Sequence, residues 1–520
     1  MKNEKTEPAP KLYRSGLVVA GLTMISRVLG MARDICIANF FGSGVATDSF
    51  ILAFRIPNLF RRLFAEGAFS QAFVPVLTEY KELHSHQAVK SLVNRTVGSL
   101  GMILLLFTLL GMALSETIVS VFAPGYIYAD SVEKLRLSSD LLKITFPYLF
   151  LISMTALSAS VLNAYGRFAA PAFSPALLNL CLISSAVFLR ERFDEQIFAL
   201  AWGVLIAGVV QLTWQMPSLN QLKLLPRPEM RFRDPGVKKV GFLMLPAVFG
   251  ASVSQINILL DTVLASFLET GSLSWLYYSD RLLELPLALF GIAIATVILP
   301  RLSSDHLKDS TKDFSYTLDW AIKSVLWFGL PATAALVVLS HELIATLFFH
   351  GVMESRDVLM AGASLAAYGA GLAGHMLVKV LAPGYFARQD MISPVRFGVI
   401  AMVANMGLNL IFIWHFKHVG LAIATTISAF LNAALLYSGL RRLGLINFYN
   451  KDNALFLFRL TLATLIMTTL IYYFNPSMDW WLQIDSAQRV IRMISICLLG
   501  ALSYFLVLAL SGFNLKSFLR

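Results

Sequence analysis

Cysteine is scarce. The 520 residues hold three, Cys36, Cys181 and Cys497, each alone in its own apolar stretch. That excludes a disulfide-stapled fold and a thiolate metal cluster, and leaves them as small buried residues. Charge is scarce too, at 14% of residues against about 25% in ordinary soluble domains. So few charges cannot clothe a core of this size in water, which excludes an ordinary soluble enzyme. The 57% hydrophobic content excludes a disordered chain. There is no Gly-rich phosphate loop, HExxH, GxSxG or paired-carboxylate signature, so no enzyme chemistry is signalled.

What is abundant is apolar sequence in runs of membrane length, each crossing needing about 20 residues. Runs lie near 15–41, 46–76, 92–122, 137–163, 168–189, 197–217, 238–268, 272–300, 317–347, 358–384, 393–415, 418–440, 454–474 and 489–512, fourteen in all, the first two interrupted by charge. The run after polar Met1–Arg14 lacks a small-residue cleavage site and reads as a first membrane helix, not a signal peptide. With the N-terminus inside, the inner connections hold eighteen Lys and Arg and the outer ones seven. Losing or gaining one span would scramble that bias, so both termini are expected in the cytoplasm. The net charge of +11 then faces anionic lipid, and no nucleic-acid partner is expected. Trp480 and Trp481 read as interfacial anchors, and His375 as a packed, hydrogen-bonded histidine.

The chain also repeats. Asp34-x3-Ala38-x-Phe40-x3-Gly44 recurs as Asp261-x3-Ala265-x-Phe267-x3-Gly271; Arg55 then matches Arg281, Pro75 matches Pro300, and Tyr165 with Ser174-Pro175 matches Tyr385 with Ser393-Pro394. The offset stays near-constant and the order is kept. Spans one to six therefore correspond to seven to twelve, and an even number per copy makes the repeats parallel. The expected fold class is an all-α polytopic membrane protein with 14 transmembrane helices, two parallel six-helix lobes plus two C-terminal helices. The expected divisions are a cytoplasmic segment 1–14, an N-lobe 15–218, a cytoplasmic linker 219–240, a C-lobe 241–440, a cytoplasmic loop 441–453, spans thirteen and fourteen at 454–512, and a cytoplasmic tail 513–520. Pro226, Pro228 and Pro235 suggest a surface linker that lets the lobes move.

Charges inside the spans carry the functional signal. The first holds Arg27, Arg33 and Asp34, the second Asp48, Arg55, Arg61, Arg62 and Glu66, the eighth Asp280, Arg281 and Glu284, and the tenth Lys379. A charge at the bilayer centre costs about 2.5–3.5 kcal/mol even on the lenient scale, so these groups face water, pair, or lie near a surface. Singly, each has a bland reading: Arg62–Glu66 and Arg281–Glu284 at pairing distance along a helix, or a side chain snorkelling from a helix end. As a set they concentrate in repeat-equivalent spans and are rich in arginine, whose fork binds phosphate and stays charged. They suit a central cavity for an anionic, phosphate-bearing substrate. Asp261, Asn405, Asn409 and Thr425 offer oxygens to a hard cation such as Na⁺, or ordinary interhelical hydrogen bonds.

Ser26-Arg27-Val28-Leu29-Gly30-Met31-Ala32-Arg33-Asp34, Ala46-Thr47-Asp48 and the run Pro57-Asn58-Leu59-Phe60-Arg61-Arg62-Leu63-Phe64-Ala65-Glu66-Gly67 through Pro75 closely resemble the MurJ (MviN) family. So do Leu142–Tyr148, Tyr278-Ser279-Asp280-Arg281-Leu282, and Lys379–Gly384 followed by Arg388-Gln389-Asp390. These are bacterial lipid II flippases of the superfamily that also holds the multidrug and toxin extrusion (MATE) exporters. The resemblance spans the whole chain. It implies a MATE-like fold in the inner membrane, and transport of lipid II (undecaprenyl-diphosphate-linked disaccharide-pentapeptide) to the outer leaflet for peptidoglycan synthesis. It implies substrate-binding roles for Ser26, Arg27, Arg33, Arg61 and Arg281, with Arg62 adjacent and Lys379 a further candidate. Asp48, Glu66, Asp280 and Glu284 become gate or ion-pair residues, and the last two helices a groove for the lipid tail. The approximate sodium site falls on Asp261, Asn405, Asn409 and Thr425. No organic cofactor is expected; Na⁺ or H⁺ is the expected coupling ion. The expected partners are lipid II, membrane lipids and other cell-wall synthesis proteins. A rival on the same fold is a cation-coupled exporter of drugs or of another polyprenyl-linked saccharide; the arginine excess speaks against cationic drugs.

Overall fold

The computed structural model describes residues 9–62, 68–128, 132–308, 310–446 and 451–513. Among them every regular element is helical. The expectation of an all-α polytopic chain holds: ten helices are long and apolar enough to cross a membrane. Backbone polar groups have no water to bond in a bilayer core, and helices satisfy them internally.

Chain contacts divide the protein into two compact units, Met1–Leu273 and Ser274–Arg520. The first contains α1 (Ala9–Phe41), α2 (Val45–Arg61), α3 (Ala68–Leu83), α4 (His86–Ala113), α5 (Ser115–Phe122), α6 (Gly125–Tyr128), α7 (Val132–Thr145), α8 (Tyr148–Ala164), α9 (Ala169–Phe188), α10 (Phe198–Gln221) and α11 (Pro235–Ala265). α1 packs along α9, α2 on α7, and α10 on α8 and α9. Phe69, Phe73 and Leu77 of α3 meet Leu92 of α4, Leu157 and Val161 of α8, and Leu219 of α10 in a fully buried cluster. Lipid is as apolar as leucine, so close packing, more than escape from water, stabilises such a cluster.

The linker between the repeats is strapped down. The backbone N–H groups of Arg227 and Glu229 donate to the side chain and carbonyl of Asn94, and that of Arg231 to Ser99 Oγ. Arg95 reaches Asp234, and Asp234 also caps α11 by accepting from Gly236 and Val237, with Pro235 pre-set for the first turn. The strap runs so close to α4 that a Cβ at Gly98 would lie 2.3 Å from the Glu229 carbonyl oxygen. Gly98→Ala should lift the strap at a cost of about 1–3 kcal/mol. Tryptic cleavage after Arg231 and Arg233 should accelerate, and unchanged cleavage would show the strap undisturbed. α11, which the repeat pairs with α1, packs against α3 and α4 in the first unit.

The second unit holds α12 (Ser272–Pro286), a π-helical segment Leu287–Ile292, α13 (Ala293–Leu307), α14 (Thr311–Val338), α15 (Ser340–Phe348), α16 (Ser355–Ala370), α17 (Leu372–Phe386), α18 (Ile392–Arg442), α19 (Lys451–Phe474), α20 (Met478–Gln483) and α21 (Ser486–Leu510). α18 is broken by non-helical backbone at Lys417, where the eleventh and twelfth expected spans meet. α19 and α21 pack as a pair around Leu460, Ala463, Ile471, Ile496 and Leu508, joined by Trp327 of α14. Trp481 is no surface anchor: it is fully buried and donates its indole N–H to Asn475, while Trp480 is partly exposed. Arg489 donates to the carbonyls of Trp481, Phe349 and Leu482, fastening α21 to the end of α15. The cysteines are not buried as expected: Cys497 is exposed, and Cys36 and Cys181 are half-buried, since in a membrane helix an apolar side chain has no need to turn inward.

At the start of α18, Asp390 accepts from the backbone N–H groups of Ile392 and Ser393. The Ser393 hydroxyl and then its backbone N–H hold the Asp390 carboxyl below the usual range. A carboxyl lowered in the folded state stabilises it above about pH 4 and loses that contribution as pH falls through the lowered value. Asp390→Ala should cost about 1 kcal/mol at neutral pH, read as a drop in thermal midpoint that narrows on acidification.

Candidate functional site

In the first unit the charges expected inside the membrane have three different surroundings. Arg27 is exposed on α1 and Ser26 half-buried. Two turns on, Arg33 is 6% exposed and Asp34 1%. The Arg33 Nε and Nη2 donate to one Asp34 oxygen at 2.9 and 2.7 Å, and Nη1 donates to Asn179 Oδ1 at 2.9 Å. Asn179 in turn donates to the Ser26 carbonyl, so this network ties α1 to α9. A buried pair needs such extra bonds to offset its desolvation.

On α2, Asp48 is buried and accepts from the Gly271 N–H at 2.7 Å, and Arg55 donates to Thr262 at 3.2 Å. Nearly two turns later Arg61 donates to Asn58 Oδ1, whose own amide donates to the Phe54 carbonyl, just where Pro57 interrupts the helical ladder. Arg61 is half-buried and Arg62 exposed. Glu66, and with it the expected Arg62–Glu66 pair, lies outside the described residues. Asp261 is half-buried on α11.

In the second unit Arg281 pairs with Glu284 at 2.9 Å, both partly exposed, with its guanidinium 5.1 Å from the Tyr277 ring. Asp280 is exposed beside them. The bland reading of Arg281–Glu284 as an intrahelical pair is therefore met geometrically, yet the pair stays open to solvent or ligand. The helix continues past Pro286 into the π-helical turn, a distortion that gathers at functional sites. Lys379 is exposed on α17 and makes no hydrogen bond or ion pair among the described residues. His375, one turn earlier, is half-buried, and its Nε2 finds no hydrogen-bond partner among the described residues. Asn405, Asn409 and Thr425 come together: Asn409 donates to Asn405 at 3.1 Å and Asn405 to Thr425 at 3.5 Å, both asparagines being fully buried. These three oxygen-bearing side chains would fit part of a hard-cation shell; the Asn409–Asn405 bond runs along one helix, and the Asn405–Thr425 bond joins the two parts of α18 across the break at Lys417. No group of three or more His, Cys, Asp or Glu that could hold a metal ion occurs among the described residues.

Sequence reasoning missed Lys134. Lying between the apolar runs 92–122 and 137–163, it reads as one of the seven cations of the outer connections, but it is 7% exposed on α7, its ammonium 5.3 Å from the Tyr126 ring. Its only sequence signal is its place two residues inside the amphipathic start of α7.

Comparison with solved structures defines the class. A lipid II flippase MurJ in an inward closed conformation matches with a TM-score of 0.80 at 27% identity, over 95% of this chain and 98% of that one. An inward-facing multidrug resistance MATE family transporter of the MOP superfamily matches at 0.66 and 14% identity, over 82% of this chain and 98% of that one, a likeness of fold alone. The protein is thus a multi-pass membrane protein with this transporter fold. A family model described as lipid II flippase MurJ matches residues 37–491. A probable lipid II flippase MurJ of Vibrio cholerae is 47% identical over 511 residues, 97% of each chain. The lipid II flippase MurJ of Burkholderia cenocepacia is 38% identical over 516 residues, 98% of this chain and 99% of that one. The chain belongs to the lipid II flippase MurJ family.

Proposed function

We propose that this protein is a transporter, not an enzyme, and that it moves lipid II from the inner to the outer leaflet of the bacterial cytoplasmic membrane for peptidoglycan synthesis. The observation that carries this reading is end-to-end likeness to the Vibrio cholerae and Burkholderia cenocepacia relatives. The residue chemistry supports it. Arg27, Arg61, Arg62, Arg281 and Lys379 are cations on membrane-embedded helices that keep some exposure. A diphosphate drawn out of water needs opposite charge and forked donors, which arginine supplies. Arg33, closed into its own network, holds the wall of α1 on which Arg27 stands.

The cycle is alternating access: the head group enters from the cytoplasm, the arginines neutralise its diphosphate, and the two repeats rock to open the other side. The tail stays in lipid or against α19 and α21. Na⁺ at Asn405, Asn409 and Thr425, or H⁺, drives the reset, and each charge moved across the field contributes about 2.3 kcal/mol per 100 mV. Both termini face the cytoplasm, and other cell-wall synthesis proteins work alongside.

The test is depletion in cells, followed by measurement of lipid II accessible on each leaflet. Accumulation on the inner leaflet is expected. Undisturbed lipid II export with another polyprenyl-linked glycan stalled inside would reassign the substrate.

A further inference from the structure

A second set of charges lies where α2, α6 and α7 meet the turn that follows α11. Asp48 is 2% exposed and spends one oxygen on the N–H of Gly271. Gly271 has φ +97, a conformation side-chain-bearing residues rarely adopt, so the turn is shaped to present that N–H. The same turn is gripped from α6: the Gly125 N–H donates to Ser266 Oγ at 3.0 Å, and a Cβ at Gly125 would sit 2.3 Å from the Ser266 carbonyl oxygen. Tyr126, next along, is buried, with its hydroxyl unpartnered among the described residues. Burial first, and Asp48 second, push its hydroxyl well above the usual tyrosine range, against the opposing pull of Arg55.

A carboxylate this buried holds its charge only with a cation nearby. Two face the cluster. Arg55 points its guanidinium to Thr262 on α11. Lys134 presents its ammonium 5.3 Å from the Tyr126 ring, and α7, which carries it, packs on α2, which carries Asp48. A buried ammonium is as costly as a buried carboxylate, so each makes the other tenable. The chain passes from its first compact unit to its second immediately afterwards, at Leu273 and Ser274, and Arg281 follows within two turns.

We propose that Lys134 is a positioning residue for transport: it holds Asp48 charged and aimed at Gly271, and so clamps the crossover turn 266–271 that leads into the Arg281 helix. The proposal rests on the transport reading above, but the clamp can be tested without substrate. Ser272, at the end of the turn, is 1% exposed.

The test uses the full-length protein in lipid vesicles, with Cys36, Cys181 and Cys497 changed to serine and Ser272→Cys as a thiol reporter. Labelling by a soluble maleimide should be slow. Adding Lys134→Met should speed it roughly fivefold or more, the scale of losing one local restraint, and lower lipid II transport in parallel. Lys134→Arg should return both to within about twofold of the parent, since it keeps the charge. Asp48→Asn should speed labelling equally, and Lys134→Met on top should add little, because the two act as one unit. Labelling unmoved by Lys134→Met, or two effects that multiply as independent ones do, would overturn the clamp. Labelling that behaves as expected in a protein that moves no lipid II would keep the clamp and remove the transport reading.

Discussion

Cells whose only copy carries Arg27→Ala should contain the protein at normal level and fail to export lipid II. Arg27 is exposed on α1 and makes no hydrogen bond or ion pair among the described residues. Its removal costs binding and leaves packing intact. A charge-assisted hydrogen bond contributes about 1.5–3 kcal/mol, so losing one to the diphosphate lowers transport roughly 10- to 150-fold. Lys at the same position should recover part of this, since it keeps the charge but not the fork. The leaflet-resolved lipid II assay reads the loss, and an immunoblot of membranes checks the level. Full export by Arg27→Ala would end the argument that exposed arginines grip the substrate.

Arg33→Ala should fail for a different reason. Asp34 would remain 1% exposed without the Arg33 guanidinium, and Asn179 Oδ1 would lose the donor that joins α1 to α9. Breaking a buried pair by removing one member costs about 3–5 kcal/mol. The expected result is low protein in the membrane and a lowered thermal midpoint in detergent, with transport per surviving molecule less affected than in Arg27→Ala. Arg33→Ala combined with Asp34→Asn should regain part of the stability, because the stranded charge is gone. Two variants six residues apart on one helix thus separate binding from support. Normal abundance with lost transport in Arg33→Ala would place that guanidinium on the substrate instead.

Much of this was legible in the sequence. Hydropathy and the shortage of charge fix the all-helical membrane class, because continuous apolar runs of about 20 residues cross as helices, whereas barrel strands read as alternating segments of about 10. The long motif from Pro57 to Pro75 carries the family. What hydropathy could not rank is the surroundings of each charge. Arg27 and Arg33 read alike in a window of apolar residues, yet one is exposed and the other is held by Asn179, 146 positions away. Lys134 looks like a loop cation because its partners, Asp48 and Tyr126, are distant in sequence or fall outside any span. The prolines at 226, 228 and 235 suggest a loose tether; the structure shows residues 227–234 bonded along α4, since Gly98 and Asn94 leave a bed for it that only three-dimensional contact reveals.

The π-helical turn at Leu287–Ile292 has a consequence for the helix that bears Arg281. Such a turn holds one residue more than an α-turn, so the two ends of the helix are out of phase by about the 100° that one residue subtends. Arg281 and Glu284 are therefore aimed independently of Ile298 and Leu302, which α13 buries. Winding that extra residue in or out would swivel the guanidinium like a key in a lock while its far end stays seated, and a one-residue deletion inside the turn is the length change this helix is best built to absorb.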